Sequence, residues 1–69
     1  MIVTVNGDQK HMDEGTTVAS LLDVLQLGPE RLAVELNRRI VRRADWAGTQ
    51  LAEGDRVEIV NFVGGGSLD

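Results

Sequence analysis

Thr17-Val18-Ala19-Ser20-Leu21-Leu22-Asp23-Val24-Leu25 decides the fold, because it is the one convincing helix in the chain. Val18, Leu21, Leu22 and Leu25 recur at i, i+3, i+4 and i+7 and make a single apolar stripe. Ser20, Asp23 and Gln26 occupy the other face. Thr17 can offer its hydroxyl to an orphan backbone N–H at the helix start. Gly28-Pro29 is the expected stop, the glycine taking the left-handed conformation and the proline unable to continue a helix.

Outward from the helix, the chain reads as strand. Before it, Ile2-Val3-Thr4-Val5 is β-branched, Asn6-Gly7 suits a tight hairpin turn, and Asp8 to Met12 returns. After it, Leu32 to Leu36 sets Leu32, Val34 and Leu36 against Ala33 and Glu35. Asn37-Arg38 is a weaker turn, and Arg39-Ile40-Val41 returns from it. Arg43 to Ala47 suits one helical turn anchored by Trp46, and Gly48 to Gly54 is loop. Arg56 to Val63 is the last strand: Val57, Ile59 and Val63 share one face, while Glu58, Val60 and Phe62 share the other. Residues 1–63 therefore form one domain, and residues 64–69 a flexible glycine-rich tail. Strand, strand, helix, strand, strand, strand describes a small α+β fold with one helix across a mixed four- to five-stranded sheet. A ferredoxin-like fold needs two full helices, so the ubiquitin-like β-grasp is the economical solution.

Composition narrows the function. A chain of 69 residues buries only about 60% of its unfolded surface, and a ligand cleft of roughly 300 Å³ competes with so thin a core. Hydrophobic residues at 42% and charged residues at 26% argue for a globular protein rather than a disordered one. The net charge of −4 argues against a nucleic-acid partner. No apolar run approaches the roughly 20 residues that span a bilayer, so a cytoplasmic chain without a membrane partner is expected. With no cysteine and His11 as the sole histidine, neither thiolate chemistry nor a metal site is expected. There is no phosphate-binding Gly-rich loop with Lys and Ser/Thr, and no serine in a nucleophile elbow. Asp13-Glu14 and Glu53/Asp55 lie at turns, where carboxylates are usually solvated. No catalytic residue is assigned, and the chain is not expected to be an enzyme.

Two features remain. Arg38, Arg39, Arg42 and Arg43 place four of the seven basic residues within six positions. They read either as a solvated edge that blocks strand pairing or as a docking edge for an acidic partner or an anionic substrate, with Arg42 and Arg43 as the partner-binding residues. Gly64-Gly65-Gly66 directly follows an apolar strand. Such an arm can lie in a narrow tunnel where any side chain would clash, and carry a carboxylate into another protein's active site. Val60 and Phe62, an apolar pair beside the arm, are the candidate docking residues.

The order Val34-Glu35-Leu36-Asn37, Ile40-Val41, Trp46, Leu51, Gly54-Asp55, Val57-Glu58-Ile59 and Phe62-Val63-Gly64-Gly65-Gly66 resembles the thiamine-biosynthesis sulfur carrier (ThiS) family. Val5-Asn6-Gly7 and the Thr17 to Leu25 helix match as well, so the resemblance covers residues 1–66. It implies a carrier that binds no cofactor itself. A ubiquitin-activating-like adenylyltransferase would use ATP and magnesium to adenylate the Gly66 carboxylate. Persulfide sulfur would then replace AMP to give a thiocarboxylate, and a thiazole synthase would take the sulfur. The departure is Ser67-Leu68-Asp69, which ties the Gly66 carboxyl into a peptide bond. A processing protease, an expression remnant and loss of sulfur transfer are the three accounts, ranked in that order. Gly65 is the alternative mature terminus. A carrier for another pathway, such as molybdopterin or cysteine synthesis, and a ubiquitin-like interaction module that is never activated are the other readings.

Overall fold

The computed structural model describes residues 1–28 and 31–61. Its elements run β1 (Ile2–Val5), β2 (Asp8–His11), α1 (Val18–Val24), β3 (Leu32–Leu36), β4 (Arg39–Val41), a 3₁₀ turn (Arg43–Asp45) and β5 (Arg56–Asn61). The five strands form one sheet in the order β2-β1-β5-β3-β4. β1 and β5 pair in parallel, and the other neighbours are antiparallel. The expected mixed sheet with one helix is therefore present, with five strands, and the expected β-grasp holds.

One face of the sheet is covered. Val3 and Val5 of β1, Leu32 and Val34 of β3 and Val57 of β5 are buried with Val18, Leu21 and Leu22 of α1. Trp46 and Leu51 from the 43–55 segment complete the cluster. Period-two burial on the strands and period-3.6 burial on the helix thus meet in one core. Trp46 is 6% exposed, and its indole Nε1 donates to the Val41 carbonyl at 2.9 Å, so the ring is buried without orphaning its polar atom.

The helix stop differs from expectation. Gln26, ahead of the glycine, takes the left-handed conformation, at φ 59°. The Leu27 N–H donates to the Leu22 carbonyl at 3.0 Å and the Gln26 N–H to Asp23 at 2.9 Å, a Schellman ending. Leu27 packs against the core. That docking fixes the reversal one residue earlier, so it falls on Gln26, two residues ahead of the glycine. Pro29 lies outside the described residues.

Candidate functional site

The last strand is held from both sides by turn asparagines. Asn6 and Gly7 both have positive φ (49° and 88°), and so do Asn37 and Arg38 (52° and 71°). Both pairs therefore adopt the primed hairpin geometry that matches strand twist. Each asparagine also reaches β5. The Asn6 N–H donates to the Val57 carbonyl at 2.9 Å. Its Oδ1 accepts from the Ile59 N–H at 2.7 Å, and its Nδ2 donates to the Ile59 carbonyl at 3.2 Å. The side-chain amide thus extends the ladder where the β1 backbone turns away. On the other flank, the Asn37 N–H donates to the Arg56 carbonyl at 2.8 Å, and Asn37 Oδ1 accepts from the Arg56 N–H at 3.0 Å. Its Nδ2 donates to Asp55 Oδ1 at 3.0 Å.

This clamp fixes which way β5 faces. Val57 is fully buried and Ile59 packs against the core, while Arg56, Glu58 and Val60 are exposed on the helix-free face. Val60 is 54% exposed. Its cross-strand partner is Ala33. Ile40 on β4, 64% exposed and opposite Glu35, is a second exposed large apolar side chain there among the described residues. Sequence reasoning placed Ile40 only as a strand residue; its alternation with half-buried Val41 was the available signal. Arg38, Arg39, Arg42 and Arg43 are all exposed. Arg43 stacks its guanidinium 5.5 Å from the Trp46 ring centroid. Phe62, Val63, Gly64, Gly65 and Gly66, with Ser67, Leu68 and Asp69, lie outside the described residues.

A surface depression of about 390 Å³ is lined by Glu35, Asn37, Arg38, Arg56 and Glu58. It lies on the helix-free face, and its lining holds no hydroxyl, amine or imidazole side chain. His11 is exposed on the edge strand β2, and among the described residues no group of three or more His, Asp and Glu side chains is arranged to hold a metal. No helix among them is long and apolar enough to cross a membrane. What the geometry offers is an exposed apolar-and-charged sheet face whose central strand, β5, precedes the glycines in sequence.

Comparison with known proteins accords with this geometry. The model of the ThiS family matches residues 3–66. The sulfur carrier protein ThiS of Bacillus subtilis is 35% identical over 66 residues, covering 94% of this chain and all of that protein. A thiazole synthase of Magnetococcus marinus is 39% identical over 66 residues, and the chain spans 20% of that protein's length. The crystal structure of a thiamine biosynthesis protein (ThiS) from Geobacter metallireducens superimposes with a TM-score of 0.82 at 38% identity, covering 96% of this chain and all of the other.

Proposed function

The chain belongs to the ThiS family, and from that premise we propose that it is a sulfur carrier of thiamine biosynthesis, activated at Gly66. A carboxylate resists nucleophilic attack. Its attack on the α-phosphorus of ATP releases pyrophosphate and leaves an acyl adenylate, whose carbonyl is electrophilic. The terminal sulfur of a partner's persulfide then displaces AMP to give an acyl disulfide; a second thiol attacks the partner-side sulfur, forming a disulfide there and releasing the C-terminal thiocarboxylate, which is the transferable sulfur. The ATP, magnesium and sulfur donor belong to the partners. The chain contributes an arm that enters their active sites and a surface that docks.

The observation that carries this reading is the family match, which extends through the third glycine. The sheet supports it, because β5 ends at Asn61, shortly before the glycines in sequence, and Val60 within it is exposed. The docking partner for Val60 and Phe62 is the adenylyltransferase. The matched thiazole synthase of Magnetococcus marinus supports a thiazole synthase as the sulfur acceptor. Gly66 needs a free carboxylate, which calls for hydrolysis of the Gly66–Ser67 bond by a processing protease. The test is adenylyltransferase-catalysed exchange of pyrophosphate into ATP. A chain ending at Gly66 supports the exchange, and the chain carrying Ser67-Leu68-Asp69 does not. Absence of exchange with both would leave a ubiquitin-like interaction module.

A further inference from the structure

The sheet has two edges, β2 and β4. On β2, Asp8, Gln9 and His11 are exposed and Lys10 is half-buried. The Met12 N–H donates to the Met1 carbonyl at 2.8 Å, and the Met1 nitrogen donates to the Met12 carbonyl at 2.9 Å. That mutual exchange marks Met1–Met12 as a hydrogen-bonded pair. Such pairs alternate along an antiparallel ladder, so Val3–Lys10 and Val5–Asp8 are hydrogen-bonded pairs too. Gln9 and His11 therefore turn their N–H and C=O groups away from β1, toward an edge that no other strand covers among the described residues. Unpaired edge groups are a template for a further strand.

The charges on β2 decide which strand fits. A two-fold axis normal to the sheet pairs β2 with its own copy in antiparallel. Directly opposite residues must share a face, so the axis passes through a residue rather than between two. Centred on Gln9, the pairing sets Asp8 opposite Lys10 of the second copy, and symmetry repeats the pair. The two Gln9 backbones exchange hydrogen bonds at the centre. Asp8 and Lys10 then form the non-hydrogen-bonded pairs, in which side chains stand closer. Centring on Asp8 or on Lys10 sets a charge on its own like, which is destabilising. Centring on His11 puts Lys10 opposite Met12 and pairs no opposite charges. Neither Asp8 nor Lys10 has an ion-pair partner within 4.0 Å among the described residues.

The β4 edge behaves in the contrary way. Centred on Arg39, Ile40 or Val41, self-pairing sets Arg39 on itself, Arg38 on Arg42 or Arg39 on Arg43. Every such register meets arginine with arginine, and β4 offers no acid to Lys10 either.

We propose that β2 is a dimerisation edge, through which a second copy of the chain pairs in the register centred on Gln9 and joins two five-stranded sheets into one. The inference is independent of the carrier reading. In the dimer the two β5 strands run in opposite directions about 24 Å apart, and both helix-free faces stay open. The paired strand has four residues, so the dimer is weak, half-formed at a chain concentration on the order of 100 μM.

The test is sedimentation equilibrium of the full chain from about 10 μM to about 1 mM, in about 0.15 M salt to screen the repulsion between two chains of net charge −4. The mass rises toward twice that of the monomer. In a mixed sample of isotope-labelled and unlabelled chains, NMR shows Asp8 Hα of one copy in contact with Lys10 Hα of the other. Lys10→Glu weakens association about tenfold or more, and so does Asp8→Lys. An equimolar mixture of the two variants restores it, because every acid again meets a base. Gln9→Pro removes the central donor, which points away from β1, and abolishes association while Tm at about 10 μM stays close to the parent's. If Gln9→Pro does not fold, the mixture of charge variants decides alone. A monomer mass throughout the range overturns the proposal and leaves the edge to a strand of another protein. So does a dimer that Lys10→Glu leaves intact, or a mixture that fails to restore association.

Discussion

Among the described residues, five other than glycine hold the left-handed conformation, and two of them, Gln26 and Arg38, sit where glycine serves better. A non-glycine residue there costs roughly 1–2 kcal/mol of steric strain, partly offset by the larger entropy glycine loses on folding. Gln26→Gly and Arg38→Gly are each expected to stabilise the fold by about 0.5–1 kcal/mol, read as a higher urea midpoint at constant m-value. The asparagines are different. Asn6→Gly keeps the turn conformation but removes both hydrogen bonds to Ile59, for a loss of about 1–2 kcal/mol in the same titration. Both asparagine turns were legible in the sequence as turns. Their grip on β5 was not, since the residues it joins are 53 and 19 positions apart. Local pattern carries no information about which strand lies beside a turn. Gln26 was misplaced for a related reason: the stop is set by where Leu27 meets the core, and glycine preference came second.

The helix shows how far an element depends on its surroundings. With seven residues it is too short to persist alone. Its first N–H groups are all satisfied: Val18 donates to the Thr49 carbonyl, Ala19 to Trp46, Ser20 to Thr17 Oγ1 and Leu21 to the Thr17 carbonyl. Ser20 Oγ returns the favour by accepting from the Thr17 N–H at 2.8 Å, closing a capping box with serine in the usual place of Glu or Gln. The 46–50 segment therefore acts as a second cap, and no anion is needed at this helix end. Thr17→Ala is expected to cost about 0.5–2 kcal/mol, measured by denaturant unfolding. The stripe Val18, Leu21, Leu22 was readable from spacing. Strand bounds for β3 and β4 were too, because alternation and flanking turns mark them. The half-buried position of Ser20 was not, because its loop partners depend on the tertiary fold.

At the scale of the whole molecule, the proposed function divides labour between a domain that docks and an arm that enters a partner's site. The core on one face leaves the other face to be read, and β5 joins that face to the glycines. The triglycine run itself is legible in the sequence, and its proposed role comes from the resemblance, while which side chains of β3, β4 and β5 stand side by side needed the strand register. Gly65→Val is expected to leave the thermal transition nearly unchanged and sharply slow adenylation, because a β-branched side chain widens and stiffens the arm. A marked fall in Tm would make the arm part of the fold and count against its role as a threaded carrier.

The most direct test of sulfur carriage is the intact mass of a chain ending at Gly66 after incubation with its adenylyltransferase, ATP, magnesium and a persulfide donor. The account predicts a gain equal to one sulfur replacing one oxygen, localised to the terminal glycine and lost on transfer to a thiazole synthase. An unchanged mass, or a thiocarboxylate formed on Asp69 of the longer chain, would contradict it.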